Sequence, residues 1–251
     1  MSKTLKFLFI GNSFAVDTME HFADVALSMG YEKVKLWTLY IGGCSINKHY
    51  INLKNNLSDY TCFINEGNGW KEDNNYNIKD SIQSDTWDYI AIQHGTNDLS
   101  RYSDIKSYEN LENLVKEIKK IANKNTKIIF NMTWVGEPSF PHEEIIAFNK
   151  DTNKLFNAIV NLTKTYILPI KDIDIVCPTG IAIDNARKEF DELLTRDGYH
   201  LSLSLGRYIA SLTMFKAITK KDITDLTWFA KDVNNSYKNK IINIVNKSSF
   251  W

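Results

Sequence analysis

Apolar residues along the chain occur in two patterns: short continuous runs, and longer segments in which they recur every three or four positions. Runs rich in β-branched or aromatic residues predict strands at 5–10, 34–41, 87–93 and 127–134, and a weaker run predicts a fifth at 166–170. Strand runs that alternate with helical segments are typical of a parallel sheet with helices on its faces.

The helical spacing predicts the segments that cover this sheet. After the first strand, apolar residues from Phe22 to Met29 lie on one helical face, and Gly30 supplies a C-terminal stop. The same spacing predicts further helices at 111–121, 145–162, 205–218 and 231–247.

Residues 54–76 break the alternation of strands and helices. Tyr60, Cys62 and Ile64 alternate with polar residues up to a turn at 66–70, which predicts a small β-hairpin inserted between the second and third strands. A rim or lid over a site and an edge decoration without function are equally open interpretations.

Composition and charge describe a single soluble globular domain spanning residues 1–251. The chain has 30 Lys and Arg against 30 Asp and Glu, and 43% of its residues are hydrophobic. A net charge of zero with no local basic run gives no electrostatic drive toward nucleic acid or an anionic membrane, so neither is an expected partner. No apolar stretch approaches the roughly 18 residues of a membrane span.

The cysteines and the amino-terminal segment bear on the cell compartment. Cys44, Cys62 and Cys177 are an odd set without a CxxC pair, which predicts free thiols in a reducing environment, with neither a disulfide framework nor a zinc site. The apolar run at 5–10 is cut by 11–13 and is too short for a secretion signal. We therefore expect a cytoplasmic protein, with a signal trimmed beforehand as the open alternative.

Reactive residue types cluster where ligands are expected. Parallel α/β sheets bind ligands at the carboxyl ends of their strands. The segments that stand at such positions, or just ahead of the helix at 205–218, are 11–14 (Gly-Asn-Ser-Phe), 42–45 (Gly-Gly-Cys-Ser), 95–98 (Gly-Thr-Asn-Asp) and 197–200 (Asp-Gly-Tyr-His).

Three of these residues are candidates for nucleophilic catalysis. Ser13 stands at a strand-to-helix turn, where a hydroxyl is exposed, although serine is also a common helix cap. A nucleophilic serine needs a base, and the base needs an acceptor on its other ring nitrogen. His200 and Asp197, three residues apart, can supply both, with a purely structural hydrogen bond as the alternative.

Two further residues are candidates for stabilising an oxyanion. One well-placed donor is worth roughly 3–4 kcal/mol in an acyl-transfer transition state. Gly43 allows close approach of a backbone N–H, and Asn97 offers a neutral side-chain amide. A turn glycine and a loop-capping asparagine are the alternative interpretations.

The four segments, in this order, resemble the four blocks of the SGNH (GDSL-type) hydrolase superfamily, which is named for Ser, Gly, Asn and His. The resemblance runs from about residue 5 to 218 and implies a flavodoxin-like, three-layer α/β/α sandwich with a five-stranded, mostly parallel sheet. It implies Ser13 as nucleophile, Asp197 and His200 as the rest of the triad, and Gly43 and Asn97 beside the Ser13 N–H in the oxyanion hole. It implies no cofactor and no metal.

The first block departs from the usual Gly-Asp-Ser. The sequence Gly11-Asn12-Ser13-Phe14 resembles a poorly characterised bacterial subgroup with a GNSF start. Asn12 keeps a hydrogen-bond acceptor but removes a charge beside Ser13. Asn12, His94 and Trp134 are candidate substrate contacts, and His94 and Trp134 could instead pack in the interior.

The predicted function is hydrolysis of a carboxylic ester through an acyl-enzyme, on a small-molecule or glycan ester. Trp37, Tyr40, Trp134 and the loop at 136–142 lie near the predicted sheet edge and favour a short acyl group, such as acetyl, on a carbohydrate. The alternatives are a carbohydrate-binding protein of the same fold with little or no turnover, and a lipase-type or thioesterase-type acyl hydrolase.

A metal-dependent hydrolase is a third interpretation. His94, Asp98, Asp197 and His200 would be its ligands, but they lack the spacing of known helical zinc sites. The oligomeric state does not follow from the sequence.

Overall fold

The fold was obtained as a computed structural model, which describes residues 3–95, 108, 110–190 and 194–250. Within these residues a single sheet of seven strands is covered by helices on both faces, and its order is β4-β3-β2-β1-β5-β6-β7. The strands are β1 (Thr4–Gly11), β2 (Lys33–Tyr40), β3 (Tyr60–Asn65), β4 (Trp70–Tyr76), β5 (Tyr89–Gln93), β6 (Lys127–Asn131) and β7 (Ile175–Cys177).

The helices connect and cover these strands. Those described are α1 (Ser13–Met19), α2 (Phe22–Ser28), α3 (Ile46–Asn55), α4 (Ile78–Gln83), α5 (Leu111–Ile121), α6 (Glu143–Ala147), α7 (Thr152–Leu162), α8 (Thr179–Arg187), α9 (Leu205–Thr219) and α10 (Lys238–Lys247). None of the described helices is long and apolar enough to cross a bilayer.

The mostly parallel α/β sheet predicted from the sequence is confirmed, but the predicted count of five strands is wrong. Strands β1, β2, β5, β6 and β7 pair in parallel, while β3 and β4 add two antiparallel strands beyond β2. The segment predicted as an inserted hairpin thus extends the main sheet. Its physical role there is to pair the edge of β2, whose backbone N–H and C=O groups would otherwise lack partners.

The fifth strand lies later in the chain than the sequence pattern predicted. No strand forms at 166–170, because the chain continues from α7 into a π-helical turn at Thr163–Ile167 and leaves it through a turn at 168–169. The N–H of Leu168 donates to the carbonyl of Thr163 (2.9 Å). The strand that pairs with β6 is Ile175–Cys177. With only three residues, β7 is too short to show the alternation that identifies a strand.

Two predicted helices also differ in extent. The helix predicted at 145–162 is split into α6 and α7, since Asn149 and Lys150 adopt positive φ angles of 54° and 61°. Asp151 restarts the helix by accepting a hydrogen bond from the N–H of Lys154 (3.0 Å). The helix predicted at 231–247 begins only at Lys238, after a 3-10 turn.

The sheet core determines where a site can form. The inner strand β1 is buried on both faces, with Phe7, Leu8, Phe9 and Ile10 all at 0% exposure. The parallel strands β1, β2, β5 and β6 end at one edge of the sheet, so the loops that follow them converge there. The three cysteines, all within the described part of the chain, are buried and form no disulfide.

Candidate active site

Ser13 is the first residue of α1 and follows β1 after a turn of a single residue. The turn is tight: a Cβ on Gly11 would lie 2.7 Å from the Cβ of Ala15, so the strand can pass into the helix only with glycine at that position. Asn12 caps the helix by accepting a hydrogen bond from the N–H of Phe14 (3.0 Å). The Ser13 side chain itself is partly exposed.

The structure brings Ser13, His200 and Asp197 into one line of hydrogen bonds. His200 Nε2 lies 2.9 Å from Ser13 Oγ, and His200 Nδ1 lies 2.6 Å from Asp197 Oδ2. This is the arrangement of nucleophile, general base and orienting acceptor that activates a serine.

The carboxylate of Asp197 is held in its charged form. Burial acts to raise its pKa, but hydrogen bonds from the His200 ring and from backbone N–H groups outweigh burial and leave the pKa below its usual value. The backbone donors are the N–H groups of Tyr199 (2.9 Å) and His200 (2.7 Å), which both reach Oδ1. An ionised Asp197 keeps the proton on His200 Nδ1 and leaves Nε2 to accept from Ser13.

A buried ion cluster, which the sequence patterns did not reveal, fixes the loop of His200 against α1. Asp17, at 0% exposure and one helical turn after Ser13, accepts from Arg196 Nη1 (2.9 Å) and Arg207 Nε (2.8 Å). Its Oδ2 accepts from the N–H of Leu201 (2.8 Å). The sequence offered only one signal for this cluster, an acidic residue four positions after the serine. Its partners lie about 180 positions further along the chain, too far for a local pattern to connect them.

Asn12 links the loops around the candidate nucleophile. It is fully buried, and its Oδ1 accepts from Gln93 Nε2 (2.7 Å) as well as from Phe14 N–H. Its Nδ2 lies 3.4 Å from the carbonyl oxygens of both Cys44 and His94, as donor to each. The amide therefore links the loops after β1, β2 and β5, a task that needs a donor and an acceptor in one side chain.

The hydrogen bonds continue behind the site through polar side chains that are all buried. Gln93 Oε1 accepts from Asn131 Nδ2 (3.5 Å), and Asn131 Oδ1 accepts from the hydroxyl of Thr179 (2.6 Å). These residues lie at the ends of β5 and β6 and at the start of α8. The chain of bonds connects the carboxyl ends of three neighbouring strands beneath Ser13.

His94 and Trp134, predicted as candidate substrate contacts, are interior residues. His94 is fully buried with its ring edge-on to Tyr108 and Phe130 (centroids 5.4 and 4.8 Å apart), and burial lowers its pKa to about 3, so it is neutral. Both side chains, like that of Asn12, are enclosed by their neighbours, which favours packing in the interior. Direct contact with a substrate stays a prediction for all three.

Trp134 contacts both the segment of Ser13 and the segment of His200. Its ring stacks on Phe14, which follows Ser13, with centroids 4.2 Å apart. Its indole N–H donates to the carbonyl of Tyr199, which precedes His200 (2.8 Å). A rigid ring that contacts a neighbour of the nucleophile and a neighbour of the base restricts their relative motion.

The loops expected to carry oxyanion donors lie at the same sheet edge. Gly43 adopts φ +61°, a conformation that favours glycine, in the loop after β2. A Cβ on Gly95 would collide with the carbonyl oxygen of Cys44, so the loop after β5 packs directly on the loop after β2. Asn97, the second predicted donor, lies outside the described residues.

The described residues bear on the metal interpretation and on the predicted aromatic surface. Asp98 lies outside the described residues, and no group of three His, Cys, Asp or Glu residues among those described could hold an ion. Trp37 packs on Trp87 and Tyr76 (centroids 5.5 Å apart in each pair), on the sheet face opposite Thr38. Trp134 is buried as well, so neither tryptophan of the predicted aromatic surface faces the site. Tyr40 is partly exposed and contacts Phe63, with ring centroids 5.6 Å apart.

Comparison with known proteins identifies a family and a shared fold. A family model described as a domain of unknown function, DUF4886, matches residues 6–247. The structure resembles that of a DUF4886 family protein from Bacteroides uniformis, with a TM-score of 0.89 and 29% identity over 96% of this chain and 93% of the other. No curated protein sequence matches the chain.

More distant structures share the fold alone. An acetylxylan esterase from Geobacillus stearothermophilus, solved as a catalytic mutant, gives a TM-score of 0.51 at 14% identity over 87% of this chain and 97% of the other. A GDSL-like lipase from Bacteroides thetaiotaomicron gives 0.50 at 16% identity over 86% and 88%. The resemblance to SGNH hydrolases therefore fits at the level of fold, while the subgroup with a GNSF start stays a prediction.

Proposed function

The chain belongs to the DUF4886 family, and we propose that it is a serine hydrolase that cleaves a carboxylic ester through an acyl-enzyme. The observation that carries the proposal is the continuous line of hydrogen bonds from Asp197 through His200 to Ser13 Oγ. The GDSL-type fold supports it as a scaffold on which such chemistry occurs in other proteins.

The proposed reaction has two halves. His200 Nε2 takes the proton from Ser13 Oγ as the oxygen attacks the ester carbonyl carbon, and the tetrahedral intermediate collapses when the alcohol leaves with that proton. Water then attacks the acyl-enzyme, with His200 again accepting a proton, and the acid departs as Ser13 recovers its hydrogen. Asp197 stabilises the transient imidazolium, and no cofactor takes part.

Three donors are proposed for the oxyanion. They are the backbone N–H groups of Ser13 and Gly43 and the side-chain amide of Asn97, the last on the strength of the sequence alone. The contact of the Gly95 backbone with the Cys44 carbonyl supports the placement of these loops around one point. Such donors stabilise charge that develops only in the transition state.

An O-acetylated carbohydrate is the second candidate substrate class. It rests on the sequence preference and on the fold shared with an acetylxylan esterase. A carbohydrate-binding protein without turnover remains the rival from another class. Release of acetate from acetylated xylooligosaccharides would support this substrate class over the binding protein.

The experiment combines turnover with covalent labelling. Purified protein should hydrolyse p-nitrophenyl acetate and butyrate and should be labelled at Ser13 by a fluorophosphonate, and Ser13→Ala should lose both properties. Ser28→Ala, a serine at the end of α2, is the matched control and should keep both. Undiminished hydrolysis by Ser13→Ala would overturn the assignment, and retention of a glycan without labelling would favour the binding protein.

A further inference from the structure

A cleft of about 240 Å³ opens along α1, and its lining begins about one helical turn after Ser13. Val16 lines its near end and lies three positions after Ser13, so the two side chains share one helical face and are separated by about 4.5 Å along the axis. Glu20, at the far end, is about 10 Å along the axis from Ser13. The lining residues are Val16, Glu20, Thr38, Phe63, Trp70 and Arg207.

The hairpin of β3 and β4 supplies the outer wall of this cleft. Phe63 pairs with Thr38, and Trp70 pairs with Asn65, two residues beyond Phe63. Because side chains alternate between the two faces of a sheet, Thr38, Phe63 and Trp70 project on the same face, the one that carries Val16 of α1. The interpretation of this segment as an edge decoration is therefore less supported than that of a rim.

Trp70 also attaches the hairpin to the helix that carries the nucleophile. Its indole N–H donates to the carbonyl oxygen of Glu20, directly after α1 (3.2 Å). This bond holds the indole over the cleft. The hairpin wall and Ser13 are thus parts of one framework.

The chemistry of the walls suits an uncharged apolar group. Val16, Phe63 and Trp70 form the sides, and the charges at the far end are already paired, since Arg207 Nη1 lies 2.8 Å from Glu20 Oε2. The Nε–H of Arg207 donates to Asp17 Oδ1 (2.8 Å). An anionic or cationic substituent would have to compete with these ion pairs.

The size of the cleft exceeds the needs of an acetyl group. An apolar cavity of about 150 Å³ is enough to hold benzene. Building on the proposed ester hydrolysis at Ser13, we propose that this cleft binds the acyl chain of the substrate and selects chains longer than acetyl, up to a length set by the Arg207 and Glu20 ion pair. Each methylene buried there should raise kcat/KM about fourfold.

Thr38 adds one polar atom to the cleft wall. Its hydroxyl is buried and has no hydrogen-bond partner among the described residues. Valine has nearly the same shape without the hydroxyl. Thr38→Val should therefore increase the preference for plain alkyl chains.

A larger cavity of about 520 Å³ does not compete for this role. Its lining includes Leu5, Asp88 and Lys127, at the amino ends of β1, β5 and β6. This is the opposite edge of the sheet from Ser13, so a group attached to Ser13 cannot enter it.

The first test is the acyl-chain preference of the full chain on p-nitrophenyl acetate, butyrate, hexanoate and octanoate. The wild-type protein should prefer butyrate or hexanoate to acetate. Val16→Phe should lower the hexanoate-to-acetate ratio of kcat/KM at least tenfold, while Phe63→Ala, which enlarges the cleft, should shift the preference toward octanoate. Ile51→Phe, an exposed position on α3, is the control and should leave the ratio unchanged.

A second measurement separates the cleft from the chemistry. Calorimetry with sodium hexanoate and sodium acetate on Ser13→Ala should show binding of hexanoate alone, and this binding should be lost in Ser13→Ala combined with Val16→Phe. Binding of this kind without ester hydrolysis by the wild type would overturn the proposed function and leave the cleft assignment standing. Ser13-dependent hydrolysis with a ratio that Val16→Phe does not change would overturn the cleft assignment alone.

Discussion

The carboxylate of Asp17 accepts a hydrogen bond from the backbone N–H of Leu201, 184 residues further along the chain, at 2.8 Å. Asp17 lies one helical turn after Ser13, and Leu201 directly follows His200. The bond therefore ties the helix of the candidate nucleophile to the loop of the candidate base. Arg196 and Arg207 neutralise the same carboxylate, so the site is held by a charge that solvent does not reach.

Replacing Asp17 should loosen this connection. Asp17→Asn keeps the shape but removes the charge that pairs with Arg196 and Arg207, and disruption of a buried ion cluster costs about 3–5 kcal/mol. We expect that loss in the free energy of unfolding, measured with urea, and a lower kcat with little change in KM under conditions where the variant is folded.

The control for Asp17 is an exposed ion pair. Lys116→Gln removes the partner of Glu112 on the surface of α5, and such pairs contribute about 0.5 kcal/mol or less. An equally small loss of unfolding free energy in Asp17→Asn and Lys116→Gln would show that the ion cluster does not fix α1 against the loop of His200.

Asp197→Asn should impair catalysis without unfolding the protein. An asparagine can still accept the two backbone hydrogen bonds, but it cannot stabilise the imidazolium or hold the proton on His200 Nδ1, a defect worth about three to four orders of magnitude in kcat. Steady-state kinetics and a thermal melt provide the measurement. Asp184→Asn, which loses only a surface pair with Lys188, should retain full activity; retention of even a tenth of the wild-type kcat by Asp197→Asn would contradict the triad.

Asn12→Asp, which restores the usual Gly-Asp-Ser block, should lower both the stability and the activity of the protein. The Nδ2 of Asn12 faces the carbonyl oxygens of Cys44 and His94, and a carboxylate there would place oxygen against oxygen. Leaving these buried groups without a donor should lower the free energy of unfolding by about 1–3 kcal/mol and should lower kcat as the loops shift. A higher kcat in Asn12→Asp would show that charge beside Ser13 matters more than the links between loops.

Buried histidines should make the fold sensitive to acid. Burial, aided for His49 by the charge of Lys48, lowers the pKa of His49 and of His94 to about 3, whereas a histidine in the unfolded chain has a pKa of about 6.5. The unfolded state therefore binds protons that the fold excludes, and stability falls as the pH drops below about 6.5, by about 1.4 kcal/mol per pH unit for each histidine.

Urea unfolding between pH 7 and pH 5 measures this slope. His49→Gln should reduce this slope, because one of the excluded protons is then missing. An unfolding free energy that is the same at both pH values would show that these rings accept protons in the folded protein. Loss of activity at acid pH should be compared with this curve before it is attributed to His200.

Local patterns were sufficient for the central strands and for selecting Ser13, His200 and Asp197 as candidates that the structure brings together. The cores of β1, β2, β5 and β6 are continuous apolar runs, and Ser13 and His200 follow signals confined to a few neighbouring residues. The same rules failed at 166–170, where apolar residues at Ile167 and Ile170 serve a helical turn and its exit. A strand of three residues such as β7 carries too little pattern to compete with such a segment.

The sequence by itself determined the alternation of strands and helices, the order of the reactive segments and the residue types at the strand ends, because each of these depends on neighbours within a turn or two. Only the tertiary structure decided the roles of individual side chains: Asn12 and Trp134 support the site, Asp17 links α1 to Leu201, and Phe63 and Trp70 form walls of a cleft. Those roles depend on contacts between residues tens to hundreds of positions apart, and hydrophobic periodicity carries no information about which distant backbone or charge a side chain will meet.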